Sequence, residues 1–236
     1  MLRISEIKLD LDCDFHDIED AVVKTLKISK NRILKTEIFK QSVDCRKGEV
    51  RFVFTADVTV DGDEDRIIES LNNNRITKCQ KYEYKMPQSA RKSTLPPVVA
   101  GFGPAGMFAG LILARSGHCP IIIERGRDID SRTYDVNNFW TNRILDETSN
   151  IQYGEGGAGT FSDGKLTTGI KDSRCRFVFQ EFVSHGAPED ILTNAKPHIG
   201  TDKLKETVKA IREEIISLGG TILFETQLTN IIVANS

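Results

Sequence analysis

The sequence predicts an α/β protein of two domains, on the basis of two patterns. In the first part of the chain, segments in which apolar and polar residues alternate are separated by segments with helical spacing. In the second part, a short apolar strand leads into a glycine-rich turn and an apolar helix. Between them, residues 86–96 (MPQSARKSTLP) contain two prolines and small polar residues, so we predict a linker there.

The first domain, residues 1–85, is predicted to be a ferredoxin-like α+β fold. The cleanest strand signal is the unbroken alternation from Val50 to Val60, and Asp14 is suited to cap a helix whose apolar face begins at Phe15. The predicted elements are a strand near 2–11, a helix at 15–26, strands at 33–43 and 50–60, a short helix holding Ile67 and Leu71, and a strand holding Tyr82 and Tyr84. The order βαββαβ is that of a ferredoxin-like sandwich.

The second domain, residues 97–236, is predicted to be a Rossmann-type unit. It opens with a strand at 98–100, a helix at 104–116 and a strand at 120–124, followed by an irregular segment to about Ile170. Further elements are helices near 174–184 and 188, a helix at 202–218 capped by Thr201 and stopped by Gly219, and strands at 222–224 and 228–233.

Composition restricts the class of protein. The 236 residues are 39% hydrophobic and 28% charged, as in ordinary globular proteins, and the net charge of −2 gives no reason to expect a nucleic-acid partner. The five cysteines form no CxxC pair, which disfavours a zinc ribbon or a redox dithiol and fits a reducing, cytoplasmic compartment. The long uncharged stretch at 95–114 is interrupted by glycines and a proline, so we expect no membrane span.

The glycine-rich turn contains the strongest functional motif of the sequence. In VVAGFGPAG, Gly101 suits a sharp turn out of the strand, Gly103 lets the backbone approach a pyrophosphate, and Gly106 permits close packing of helix and strand. Pro104 suits the first helical position, and the helix N-terminus attracts phosphates. These features predict a dinucleotide-binding loop; the alternative is a glycine-rich packing turn.

An acidic residue follows at the expected distance. Glu124 ends the second strand about 20 residues after the glycines, where an acid accepts hydrogen bonds from ribose hydroxyls. Its charge would repel the 2′-phosphate of NADP at this site. The alternative interpretation is a surface glutamate.

The long segment after Gly126 favours FAD over NAD. A simple NAD domain proceeds quickly to a third strand, whereas this chain continues for about 40 residues and becomes glycine-rich between Gly154 and Gly164. Glycines there permit backbone N–H groups to lie against a flat ligand, while Thr160, Ser162 and Asp163 add polar groups and Lys165 a positive charge. A surface loop held by turns is the alternative.

At these residues a family resemblance becomes visible. Residues 97–126 resemble the FAD-binding unit of glutathione-reductase-like flavoproteins. The runs YGEGGAGTFSDGKL and SVDCRKGEVRFVFTADV resemble the largely uncharacterised FAD-dependent (NAD(FAD)-utilising) dehydrogenases, in which a small ferredoxin-like domain precedes the flavin domain. The resemblance implies FAD as cofactor, with the ADP half held at the glycine loop and the flavin near residues 155–165. A late aspartate-bearing segment of such flavin domains has no counterpart here, so we expect the FAD domain to be truncated at its C-terminus.

These considerations select a set of candidate cofactor-binding residues. They are Gly101, Gly103, Pro104, Ala105, Gly106, Glu124, Arg125, Gly126, Arg132, Gly156, Gly157, Ala158, Gly159, Thr160, Ser162 and Lys165. Arg125 and Arg132 are included because a guanidinium matches phosphate well. None of the four histidines has metal-ligand spacing, and no catalytic residue is assigned; His198, before a helix start, is the one that could face the cofactor.

The function expected from the sequence is flavin-mediated hydride transfer by an FAD-dependent oxidoreductase. NAD(P)H is a possible electron donor, and the second substrate is an unidentified small molecule. Two alternatives stay open: a flavoprotein acting on RNA, and a non-enzymatic FAD-binding sensor with the N-terminal domain as a partner module.

Overall fold

A computed structural model of the chain describes residues 1–87, 94–162 and 164–233. The predicted linker lies mostly outside the described residues, as does Asp163. The described part is a mixed α/β protein with six α-helices and two sheets. Its contacts divide it into two compact units, one formed by residues 1–83, 167–180 and 189–197, the other by the described residues within 84–166, 181–188 and 198–233.

The first unit has the predicted βαββαβ order. Its elements are β1 (Leu2–Leu9), α1 (Phe15–Leu26), β2 (Ile33–Asp44), β3 (Arg51–Val60), α2 (Glu64–Leu71) and β4 (Ile76–Lys78). The strands form an antiparallel sheet in the order β2-β3-β1-β4. Asp14 and Asp63 cap the two helices by accepting hydrogen bonds from first-turn N–H groups.

Alternation of apolar residues determines the core of this unit. From Phe54 to Val60 every second side chain of β3 is buried, and these side chains pack with Leu2 and Ile4 of β1 and Val22 of α1. The apolar residues of β1 alternate at Leu2 and Ile4 but resume one position late, at Ile7. This break coincides with a register shift between Ile4 and Ile7, where Glu6 has φ +59°. A bulge therefore returns the later residues of β1 to the buried face.

The prediction of the last strand of this unit was wrong. The strand lies at Ile76–Lys78 rather than at Tyr82 and Tyr84. Asn72 ends α2 in the left-handed conformation, and the chain pairs with β1 directly afterwards, with Ile76 buried opposite Ile4. One buried isoleucine is too short a pattern to produce an alternation signal.

The remaining elements are β5 (Val98–Ala100), α3 (Pro104–Arg115), β6 (Ile121–Ile123), α4 (Ile129–Asn142), α5 (Arg174–Ser184), α6 (Thr201–Ser217) and β7 (Thr221–Leu223). The strands form a parallel sheet in the order β5-β6-β7. Helix α3 packs so closely on this sheet that a Cβ on Gly110 would lie 2.3 Å from Ile122 Cδ1.

Three expectations for this region require correction. Helix α4 occupies part of the segment predicted to be irregular. Its buried face includes Arg132 and Asp135, so the buried positions do not form the apolar 3.6-residue pattern that predicts a helix. The residue that precedes α6 as its cap is Gly200 (φ +83°), not Thr201. The segment 228–233 is exposed and forms no strand in the described part of the chain. No helix of the described residues is long and apolar enough to cross a membrane.

Candidate dinucleotide site

The connection between β5 and α3 forms the centre of the site. Gly101 leaves β5 with φ +93°, a conformation that favours glycine, and its N–H donates to the carbonyl oxygen of Ile123 at 2.7 Å. Gly103 is the N-cap residue of α3, Pro104 occupies the first turn, and no side chain caps the helix. The first N–H groups of a helix have no partner within the helix, so this end is a candidate anion-binding surface.

The three glycines of the motif have different surroundings. A Cβ on Gly106 would lie 1.9 Å from the carbonyl oxygen of Gly101, so packing alone requires glycine there. A Cβ on Gly103 would meet only Gly157 Cα, at 3.9 Å, and Gly103 has an ordinary φ of −74°. Neither the described packing nor the backbone conformation therefore requires glycine at 103.

Glu124 joins the segments around this loop. It follows β6 directly, and its side chain is buried. One carboxylate oxygen accepts from the Phe102 N–H at 2.7 Å, and the other accepts from the N–H groups of Gly126 at 2.8 Å and Gly154 at 3.2 Å. The glutamate that the sequence assigns to a ribose also connects three backbone segments.

The glycine-rich segment lies against the motif loop. The N–H of Gly156 donates to the carbonyl oxygen of Phe102 at 2.9 Å, and a Cβ on Gly157 would lie 3.0 Å from Pro104 Cδ and 3.3 Å from Gly103 Cα. Gly157 has φ +68°, which favours glycine. The structure therefore brings together two glycine-rich segments that are about 50 residues apart in the chain.

The exposure of these segments defines the open surface. Pro104 and Ala105 at the start of α3, and Ala158 and Gly159 in the short helical turn after Gly157, are exposed. Thr160 is buried; a Cβ on Gly156 would lie 2.2 Å from its hydroxyl oxygen, so Gly156 serves packing. Ser162 is exposed and donates to the Gly159 carbonyl oxygen at 2.8 Å.

The two candidate arginines have different environments. Arg132 is fully buried and donates to the carbonyl oxygens of Asn150, Glu155 and Ile151 at 2.8, 2.5 and 2.9 Å. Burial lowers its pKa to about 10, which the nearby carboxylates only partly offset. Arg132 therefore holds the glycine-rich segment in place from beneath and presents no surface to a ligand in this structure.

Arg125 is half-buried and holds the adjoining loop. It donates to the Glu147 carbonyl oxygen at 2.6 Å, and its guanidinium lies 4.1 Å from the centre of the Tyr153 ring. The neighbouring Gly126 approaches Gly154 so closely that a Cβ would lie 2.6 Å from that residue's backbone. Gly126 therefore serves the assembly of the site.

Lys165 lies in an exposed connection. Its backbone forms an isolated antiparallel bridge with His198, and the side chains of both residues are exposed. The preceding Gly164 accepts from the Ile199 N–H at 3.0 Å and packs on Gly200, whose N atom would lie 2.6 Å from an added Cβ. In the described part of the chain, no group of His, Cys, Asp and Glu side chains is arranged to hold a metal ion.

Sequence reasoning gave no individual role to Glu155. Its side chain is fully buried, and one carboxylate oxygen accepts from the Ile129 N–H at 2.7 Å and from Arg212 at 2.8 Å. Burial raises the pKa of Glu155 to about 7, although Arg212 and the Ile129 N–H act in the opposite direction. One glutamate in a glycine-rich segment gives no sequence signal that it is buried, so the burial of Glu155 is visible only in the structure.

Comparison with known proteins gives a family match and a similar relative. Residues 1–59 match a domain of unknown function, DUF8436. Over 232 residues, or 98% of its length, the chain is 44% identical to an uncharacterised protein of Clostridium beijerinckii. The chain spans about 43% of that relative's length.

The role of Glu124 predicts a loss of stability when its carboxylate is removed. Glu124→Ala leaves the buried N–H groups of Phe102, Gly126 and Gly154 without their acceptor, and each orphaned group costs about 1–3 kcal/mol. We expect the free energy of unfolding, measured by urea denaturation, to fall by at least ~2 kcal/mol. The control, Glu147→Ala, removes an exposed carboxylate and should change it by less than ~0.5 kcal/mol. Equal effects would show that the three hydrogen bonds contribute little.

The burial of Glu155 predicts a pH-dependent difference between the wild type and Glu155→Gln. Between about pH 4.5 and 7 the folded protein retains a proton that the unfolded chain has released, so wild-type stability from this group falls as pH rises. Glutamine imitates the protonated acid and does not titrate. Urea denaturation should show the stability of the variant relative to wild type rising by about 1–3 kcal/mol from pH 5 to pH 7. A constant difference would indicate that Glu155 is ionised throughout.

Proposed function

We propose that the second unit binds FAD at the surface formed by the start of α3 and the glycine-rich segment, as part of an FAD-dependent oxidoreductase. The observation that carries the proposal is the environment of Gly103. Gly103, which the described packing does not require to be glycine, is the N-cap residue of α3, makes no side-chain cap, and lies beside a second glycine, Gly157. Such a surface offers backbone N–H groups and space for a pyrophosphate.

The arrangement of the strands supports a Rossmann-type unit. The strand before the glycine loop pairs in parallel with the strand that ends at Glu124, and that strand pairs in parallel with β7. One half of a doubly wound sheet has this 3-2-1 order, with the phosphate loop after strand 1 and the ribose-binding acid after strand 2. In the first unit, the antiparallel order β2-β3-β1-β4 supports the predicted ferredoxin-like sandwich.

The charges of the site suit an adenine dinucleotide without a 2′-phosphate. The first turn of α3 contains no acidic residue, so nothing there opposes a pyrophosphate. The Glu124 oxygen facing Phe102 has one described donor, and a carboxylate oxygen accepts about two hydrogen bonds, which leaves capacity for a ribose hydroxyl. A 2′-phosphate beside the same carboxylate would be repelled, which favours FAD over NADP at this position.

The extent of the glycine-rich segment favours FAD over NAD. Beyond Gly157, Ala158 and Gly159 are exposed as well, which supports a ligand larger than a pyrophosphate and one ribose at this surface. Bound FAD would supply the hydride-transfer chemistry, with a small-molecule substrate and NAD(P)H as the candidate reaction partners. The resemblance to FAD-dependent dehydrogenases supports the same proposal, and the five scattered cysteines support a cytoplasmic location.

A single substitution separates ligand binding from folding. Gly103→Ala adds a methyl group where the protein has space but the pyrophosphate would lie. We expect the variant to unfold at the same urea concentration as wild type and to bind FAD at least tenfold more weakly, about 1.4 kcal/mol, in a fluorescence titration.

The matched control is Gly169→Ala, another glycine whose Cβ would have open space. It should retain wild-type affinity for FAD. Titration with NAD and NADP in parallel tests the choice of cofactor. Equal FAD affinity in folded Gly103→Ala and wild type, or tighter binding of NAD than of FAD, would contradict the proposal.

A further inference from the structure

A cavity in the first unit has the features of a second ligand site. Its volume is about 380 Å³, within the range of small-molecule sites, and it is lined by the start of β1, the middle of β2, the segment after β4 and the first half of α5. The predicted role of the second unit does not involve these residues. The charge of a ligand that fits the cavity can be inferred from the lining charges that have no ion-pair partner within the protein.

Each carboxylate that lines the cavity has a cation of its own. Asp57 accepts two hydrogen bonds from Arg3, at 2.6 and 2.7 Å. Asp172 is paired with Arg174 at 2.6 Å, and this contact holds its pKa well below its usual range. The third, Glu37, lies 2.9 Å from Lys35. The acidic lining is therefore neutralised by the protein itself.

Two of the lining cations lack such a partner. Among the residues that the structure describes, no carboxylate lies within ion-pair distance of Arg176 or Lys81. Arg176 donates one hydrogen bond, to the Leu192 carbonyl oxygen, and is half-buried. Burial lowers the pKa of Arg176 and nearby Arg3 acts in the same direction, whereas the charges of Asp57 and Glu37 act in the opposite direction. Those two carboxylates are already paired with Arg3 and Lys35, so an anion in direct contact with the half-buried guanidinium would still be favourable.

The cavity also offers an aromatic surface. The Phe39 ring lies 3.3 Å from the Arg3 guanidinium carbon and 5.8 Å from that of Arg176, and Tyr82 belongs to the same lining. The remaining lining residues include polar, uncharged side chains such as Gln180. This combination suits a small molecule with one flat apolar part and one negative group.

We propose that this cavity binds a small organic oxyanion, a carboxylate or a phosphate ester, held by Arg176 and Lys81 with its apolar part against Phe39. A guanidinium presents paired N–H donors that match either group. The inference does not depend on FAD binding, because every residue it uses belongs to the first unit.

Calorimetric titration of the full chain, without FAD and at constant ionic strength, tests the proposal with three probes: benzoate, phenyl phosphate and neutral benzamide. We expect at least one anion to bind with millimolar or better affinity and benzamide to bind much more weakly. Binding of benzoate alone identifies a carboxylate site, and binding of phenyl phosphate alone a phosphate-ester site. Absence of binding by both anions, or equal binding of benzamide, would overturn the proposal.

Variants locate the binding. Arg176→Gln should weaken anion binding at least about tenfold, and Lys81→Met, at an exposed side chain that folding does not need, by severalfold. Arg66→Gln, an exposed arginine of the same unit paired with Asp63, and Gly103→Ala in the second unit should bind as wild type does. If Arg176→Gln fails to fold, Lys81→Met decides. Unchanged binding in Lys81→Met, or a loss in Gly103→Ala, would place the anion elsewhere.

Discussion

The candidate dinucleotide site depends on the hydrogen bonds that the Glu124 carboxylate accepts from Phe102, Gly126 and Gly154. Phe102 and Gly154 are 22 and 30 residues from Glu124 in the chain, and Gly126 follows it by two residues. All three N–H groups are buried. A buried N–H group without an acceptor destabilises the fold by more than a typical hydrogen bond stabilises it. Because one carboxylate accepts from all three N–H groups, it fixes the relative position of the three segments. Gly126 and Gly154 meet without side chains between them because of this junction.

The hydrogen bonds of Glu124 position the other parts of the site. Once Gly154 is fixed, Gly156 reaches the Phe102 carbonyl and Gly157 lies beside Gly103. Arg132 secures the same segment from beneath through three carbonyl oxygens. The exposed part that is left consists of backbone groups and the start of α3. In the proposed complex, the backbone N–H groups and the helix dipole, rather than charged side chains, would attract the pyrophosphate.

The sequence predicts those parts of the fold in which one local signal is strong. The alternation of β3 and the strand–glycine–helix unit at 98–115 have periodic or positional patterns that few other structures produce. Helix α4 escaped prediction because its buried face carries two charged residues: Arg132, which donates to carbonyl oxygens 18 to 23 residues further along the chain, and Asp135, which accepts from Arg127. β4 escaped because its pairing depends on a single buried isoleucine opposite β1.

Within the site, the residue types were predictable but several of their roles were not. The positions of Gly101, Gly106 and Glu124 follow from the motif spacing alone. That Glu124 reaches Phe102 and Gly154, that Gly164 packs on Gly200, and that Glu155 is a buried acid depend on contacts between segments 20 or more residues apart. Such contacts leave no local pattern, because the same letters occur in exposed loops.

The most direct measurement is amide hydrogen exchange of the chain with and without saturating FAD, followed residue by residue. The account predicts that FAD slows exchange at the start of α3, at Ala105 and Gly106, and in the segment from Gly157 to Gly159. Exchange in β1 and β3 of the first unit should stay unchanged. Protection confined to the first unit, or no protection at either glycine-rich segment, would contradict a dinucleotide site assembled on Glu124.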